Sequence, residues 1–231
     1  MKIEVLYPEI ANLYGDLFNI YYLDKTIPNL KIYYTNLNET PRFVSEKIDF
    51  IYMGSMMEKY QEVVIKKLRP YKKKIKELIE NDVLFLITGT ALEIFGSKID
   101  DIKGLGIFET ITRRDFNKHH TSCFLGKFKD FDIVGFKSQF SYTANNNYPF
   151  IKVVNGFGFD DNFDNEGIKY HNFFGTYLIG PILILNPYFT KYLLNLLNLD
   201  LKLAYEEDVI AAYNIRKKEY SDEKINFCNQ K

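Results

Sequence analysis

Tryptophan is absent from this 231-residue chain, cysteine occurs twice and histidine three times. These scarcities narrow the functions open to it. Cys123 and Cys228 lie far apart, with the spacing of neither a metal-binding knuckle nor a redox pair. Cys228 sits in the polar tail "NFCNQK" and is read as incidental. No metal and no cofactor is expected. A charge excess is missing as well: 30 Lys and Arg balance 30 Asp and Glu. A nucleic-acid binder needs a positive field to displace counterions from phosphates, and no net excess supplies one. The basic run "KKLRPYKKKIKELIE" carries apolar residues at helical spacing and reads as a solvated helix. No apolar run reaches the ~20 residues that span a bilayer. The opening "MKIEVLYPEI" is a short strand, not a charged segment followed by an apolar one. A cytoplasmic, reduced protein is the expectation, with no membrane span and no nucleic-acid partner.

What remains is an ordinary globular composition, 46% hydrophobic and 26% charged, long enough to bury a sizeable core. The 20 Phe and 18 Tyr match the bias of an AT-rich genome and carry little functional weight. Apolar runs alternate with amphipathic segments through the first half. "KIEVLY" leads to "DLFNIYYLDKT", with Asp16 as a plausible N-cap. "LKIYYTN" and "KIDFIYMGS" precede a long helix over residues 60–81, and "DVLFLIT" leads into a helix "ALEIFG". This alternation predicts a parallel sheet with helices on its faces. Ligands of such sheets bind beyond the carboxyl ends of strands, so the loops at 53–57 and 88–90 should share one crevice.

From Leu105 the pattern turns to shorter strands: "LGIFETI", "TSCFLGKF", "FDIVGFKSQF" and "FIKVVNGFG". "GFDDNFDNEG" reads as a hairpin loop, and "IKYHNFFGTYLIGPILI" as a further strand punctuated by Gly180–Pro181. Helices are expected near 188–197 and 203–217, and residues 1–231 as one domain with a β-rich second half.

Residues able to carry chemistry are few. His119 and His120, in "RRDFNKHHTS", read as solvated loop residues, and His171 as a satisfied interior side chain. A nucleophilic pair of Cys123 with His119 or His120 conflicts with strand geometry, because residues four apart on a strand are ~13 Å apart. Thr88 or Thr90 could serve as a hydroxyl nucleophile at the strand–turn–helix "LITGTALEIFG", given an adjacent base. The competing reading makes Thr90 a helix cap paired with Glu93 in a capping box.

The stretches "NLYGDLFNIYYL", "DFIYMGSMMEKYQE", "LITGTALEIFG" and "EGIKYHNFFGTYLIGPIL" together resemble the class I glutamine amidotransferases of the cobyric acid synthase type, and among them the glutaminase subunits of lipid II isoglutaminyl synthases. "NLYGDLFNIYYL" matches a family opening N-L-Y-[SG]-D-x-x-N. "DFIYMGSMMEKYQE" stands where the family has a glycine-rich turn after a strand, and "LITGTALEIFG" beside I-C-G-G-Y-Q-x-L-G. "EGIKYHNFFGTYLIGPIL" stands beside E-G-x-x-Y-x-N-x-x-G-T-Y-L-H-G-P-x-L. The resemblance implies a flavodoxin-like α/β fold, a sheet flanked by helices. It also implies a Mur-ligase-like synthetase partner acting on peptidoglycan precursors.

The departures fall on the family's chemistry. Its catalytic cysteine is replaced by Gly89, its catalytic histidine by Ile179 and its elbow glutamine by Glu93. The glycine-rich turn keeps Gly54, and the family's N-H-G-G is represented by Ser138, Gln139, Phe140 and Ser141. Glutamine hydrolysis through a thioester requires a thiolate and a base, and these residues supply neither. The expectation is a degenerate subunit without glutaminase activity, its turn at Gly89 relaxed. Gly54, Thr88, Thr90, Glu93, Lys118 and Gln139 are the candidate contacts for a small amino-acid ligand. The alternatives are an amidase using Thr88, Thr90 or Cys123, or a binding module that kept only the fold.

Overall fold

A computed structural model describes residues 1–159 and 164–222, together with the backbone of 229 and 230. Five parallel strands form one half of the main sheet, in the order β2 (Lys31–Thr35), β1 (Lys2–Leu6), β3 (Phe50–Met53), β4 (Leu84–Thr88) and β13 (Phe173–Thr176). β3 and β4 are buried on both faces, so their sequences are unbroken apolar runs rather than alternating ones. The period of two still divides them between two cores. Ile51, Met53, Phe85 and Ile87 join one cluster, with Val64, Leu68, Ile75 and Ile79 from α2 (Glu58–Leu68) and α3 (Lys72–Glu80). Phe50, Tyr52, Leu84 and Leu86 join the other, with Ile20 and Leu23 of α1 (Phe18–Thr26) and Phe189 and Leu193 of α5 (Pro187–Leu196).

Beyond β13 the sheet continues through antiparallel strands β12 (Asn165–Tyr170), β11 (Pro149–Asn155), β8 (His120–Phe128) and β9 (Phe131–Gln139). The short β14 (Asn229–Gln230) also pairs with β8. A second small sheet holds β10 (Ser141–Ala144), β7 (Ile111–Arg114), β5 (Lys98–Ile99) and β6 (Ile102–Lys103). The short α4 (Ile182–Leu185) starts after Pro181, and α6 (Glu206–Tyr220) follows α5. The expected α/β architecture with a β-rich second half is therefore present.

Several local expectations change. The helix expected over 60–81 is two α-helices joined by a 3-10 turn at Arg69–Tyr71, where Pro70 removes a backbone donor. Its lysines Lys66, Lys67, Lys73 and Lys76 are exposed, as a solvated face requires. "ALEIFG" is not α-helical: residues Gly89–Phe95 form a 3-10 helix. "LGIFETI" is mostly irregular and enters β7 only at Ile111. The strand read through "IKYHNFFGT" is a hairpin, β12 and β13, turning at His171 with φ +48°. His171 is thus a half-exposed turn residue, with Nδ1 3.0 Å from Asp82 Oδ1, and not an interior side chain. The loop "GFDDNFDNEG" joins antiparallel β11 and β12 as a hairpin loop would, although residues 160–163 lie outside the described part, as does Cys228. No helix among the described residues is long and apolar enough to cross a membrane.

Candidate functional site

Because β1, β3, β4 and β13 run parallel, the segments leaving their carboxyl ends meet at one edge of the sheet. There the turn after β4 places Gly89 at φ +56°, in the left-handed region. The turn keeps a conformation that would strain a residue with a Cβ, and glycine holds it without that strain, as the sequence reading expected. A Cβ built on Gly89 would lie 3.1 Å from Ile179 Cγ2, so positions 89 and 179 face each other across the crevice. It would also lie 2.3 Å from Ser55 Oγ and 2.4 Å from Ser55 Cβ. The serine of the turn after β3 thus occupies the space a side chain at position 89 would need.

Asp16 organises this edge. It is fully buried; Oδ2 accepts from Ser55 N (2.7 Å) and Thr88 Oγ1 (2.6 Å), and Oδ1 from Gly180 N (2.5 Å). Burial pushes its carboxyl up to about 6, against the opposing pull of those hydrogen bonds. One side chain therefore ties together the turns carrying positions 55, 88 and 180. It is no helix cap: α1 begins two residues later, and Asn12 Oδ1 takes the Leu17 N–H at 2.9 Å. Asn19 adds a second tie, donating to Asp16 O, Tyr52 Oη and Gly180 O while accepting from Leu183 N. Gly54 is required by close approach, because a Cβ there would lie 2.5 Å from the Ala11 carbonyl oxygen.

Thr90 and Glu93 do not form a capping box. Thr90 Oγ1 donates to Met56 O and accepts from Met56 N, cross-bracing two turns. Glu93 is buried, its oxygens taken by Gln61 Nε2 at 2.7 Å and Tyr177 Oη at 3.1 Å. Burial raises its carboxyl to about 7, opposed by those hydrogen bonds and by the field of Arg114. Tyr177 continues through Thr143 Oγ1 (2.6 Å) to Thr112 Oγ1 (2.8 Å), linking the elbow to the small sheet. Gln139 is buried: its Nε2 donates to Ser141 O at 2.6 Å, and its Oε1 has no hydrogen-bond partner among the described residues. Lys118 is exposed on the turn before β8. The loops at 53–57 and 88–90 do share one crevice, as the sequence reading expected, with Ser55 beside Gly89 and Met56 bonded to Thr90; Asp16, Asn19 and Tyr177, which frame them, were not among its candidate contacts. All three lie within the matched stretches, as does Glu93, one partner of Tyr177.

A second buried pair supports the segment that leads from β13 to position 179. Lys137 Nζ meets Glu166 Oε2 at 2.5 Å and donates to Phe157 O and Gly158 O. Glu166 Oε1 accepts from Thr176 Oγ1 (2.9 Å) and Tyr177 N (2.6 Å). Burial lowers the Lys137 ammonium from its usual range, and Glu166 opposes the shift.

The histidines divide. His120 is buried rather than solvated, edge-on to Tyr142 and Phe157. His119 is half-buried, with Nε2 2.8 Å from Ser138 Oγ. Cys123 lies within the unbroken β8 that starts at His120, as the objection to a Cys–His pair required. It interacts with Tyr220, whose hydroxyl is pushed up to about 12, first by burial and then by that cysteine.

Comparison with known proteins agrees with this geometry. Residues 2–186 match the CobB/CobQ-like glutamine amidotransferase domain. The chain belongs to that family. It is 30% identical over 190 residues to the GatD subunit of the glutamine-hydrolyzing lipid II isoglutaminyl synthase of Staphylococcus aureus, covering 79% of this chain and 78% of that one. The same subunit of Streptococcus pneumoniae is 27% identical over 226 residues, covering 90% and 84%. A crystal structure of a glutamine amidotransferase from Thermotoga maritima covers 94% of both chains with TM-score 0.54 at 14% identity, a likeness of fold.

Proposed function

We propose that this chain is a glutamine-amidotransferase-like subunit that has lost glutamine hydrolysis and is kept for assembly with a Mur-ligase-like synthetase that amidates lipid II or a related precursor. The observation that carries the proposal is the pair of Gly89 and Ile179 in opposition across the elbow. A glycine has no atom to attack an amide, and an isoleucine accepts no proton, so no thioester can form there. In comparable hydrolases, binding contacts left after such losses fall short of the intact site by several orders of magnitude. The subunit relationship is supported by the relatives, which are named as subunits of lipid II isoglutaminyl synthase. On this reading the synthetase takes free ammonia. Gln139 Oε1, which has no hydrogen-bond partner among the described residues, is the best remaining contact for a small amino-acid ligand, since Thr90 and Glu93 are occupied by protein.

The test is co-expression with a neighbouring Mur-ligase-like synthetase, followed by glutaminase and amidation assays. A stable complex that amidates with ammonium but not with glutamine is expected. Glutamine hydrolysis above a heat-killed control overturns the proposal. The alternative of a relocated threonine has one favourable observation: Thr88 Oγ1 donates to Asp16, a carboxylate able to act as base. Thr88 is fully buried, however. An activity abolished by Thr88→Val but not by Thr90→Val or Cys123→Ala would favour it.

A further inference from the structure

A hydroxyl–imidazole pair stands outside the elbow, at the rim of the same crevice. Ser138 lies near the end of β9, and His119 immediately precedes β8, which pairs with β9 in antiparallel register. His119 Nε2 is 2.8 Å from Ser138 Oγ, within the reach that general-base activation needs. The imidazole is held in place by stacking on Phe140, with ring centroids 4.4 Å apart and planes at 20°. From a distant part of the chain Tyr14 brings its hydroxyl to 3.4 Å from Ser138 Oγ. Ser138 and His119 are both half-buried, so a small molecule can reach them.

The location ties the cluster to the crevice. Phe136, two residues before Ser138 and on the same strand face, accepts the Ile179 N–H on its carbonyl at 3.0 Å. The carbonyl of Tyr14 borders Gly180. Phe136, Phe116 and Tyr14 are all exposed, and Phe116 packs on Phe140, giving an apolar border around the polar pair. Lone surface serines lack an oriented base, and solvated histidines lack a stacked support. Here both are supplied by segments that the tertiary fold brings together.

We propose that Ser138 is a nucleophile activated by His119, able to take an acyl group from a small carboxylic ester. Ser138 Oγ bonds to the carbonyl carbon while its proton passes to His119 Nε2, and the Tyr14 hydroxyl is a donor for the oxyanion. The C–O bond to the leaving alcohol breaks as His119 returns the proton to it. Water then attacks the acyl ester, losing a proton to His119, which returns it to Ser138 Oγ as the acyl C–O bond breaks, so ester and water become acid and alcohol.

The full chain is treated with a fluorophosphonate probe, and the adduct is mapped by mass spectrometry, with p-nitrophenyl butyrate turnover measured in parallel. Label on Ser138, lost on heat denaturation, is expected. His119→Phe keeps a ring to stack on Phe140 but removes the base; it should slow labelling about 100-fold. Ser138→Ala should abolish the label and the turnover. Absence of label on Ser138 in the folded protein overturns the proposal. So does equal labelling of wild type and His119→Phe, which would mark an ordinary exposed serine. Neither result touches the glutaminase question, which is read with glutamine.

Discussion

Ser55 Oγ stands 2.3 Å from the point where a Cβ on Gly89 would lie. The two residues come from turns after different strands, and Ser55 blocks the addition of a side chain at position 89. A side chain at position 89 is thus opposed by volume, because the space it would use is filled by Ser55.

Gly89→Cys is therefore expected to destabilise the fold without giving glutaminase activity. Holding a non-glycine residue at φ +56° and displacing Ser55 cost about 2–4 kcal/mol together. Ser55→Gly in the same background should recover the steric part. A denaturation cycle over the four variants measures the coupling, and strictly additive effects would contradict the contact. Both cysteine-bearing variants should leave glutamine intact while Ile179 replaces the base.

Stability should fall as pH rises from about 4 to about 7. Asp16 and Glu93 have folded values of about 6 and about 7, above their ordinary 3.8 and 4.5. The folded state thus binds more protons than the unfolded one across that window. Each group's contribution is complete below its ordinary value and gone above its folded value. At 1.36 kcal/mol per unit, each accounts for about 3 kcal/mol. Glu93→Gln should remove the limb ending near pH 7 and leave the Asp16 limb, ending near pH 6. Urea titrations at pH 4, 5, 6 and 7 give the slopes, and an unchanged profile in the variant would count against Glu93.

Breaking the buried Lys137–Glu166 pair from one side should cost about 3–5 kcal/mol, because the surviving charge is left uncompensated. Lys137→Met together with Glu166→Gln should cost less than the sum of the two single changes. Double-mutant denaturation curves decide this, and additivity would show that the pair is not coupled.

Thr90→Val should lower stability by about 1–3 kcal/mol, since it strips partners from both Met56 N and Met56 O in a buried turn. Thr90→Ser, which restores the hydroxyl, should recover most of the loss. Thermal or urea unfolding of both variants is the measurement. A fully stable Thr90→Val would mean that the cross-brace contributes little.

How far each residue was readable followed the range of its interactions. The central strands were legible because β3 and β4 are buried on both faces and show it as continuous apolar runs. The break in the basic helix was also written locally, at Pro70, though the helical spacing around it hid the break. Asp16 and Thr90 were different. Each is a residue type that caps helices, Asp16 standing just before α1 and Thr90 in the first turn of the 3-10 segment, and each spends its polar atoms on turns from other strands. His120 looked like a loop residue beside His119, yet strand alternation turns one into the core and leaves the other at the rim.

By itself, the sequence determined the class of fold, the four matched segments and the identity of the residues at the elbow, because apolar periodicity and motif spacing are properties of the chain order. Only the tertiary structure decided that position 89 faces Ile179 and Ser55, that Asp16 joins three turns, and that His119 meets Ser138. Those relationships depend on which distant segments arrive at the same sheet edge. Hydrogen bonding and packing there are set by contacts that no local spacing encodes.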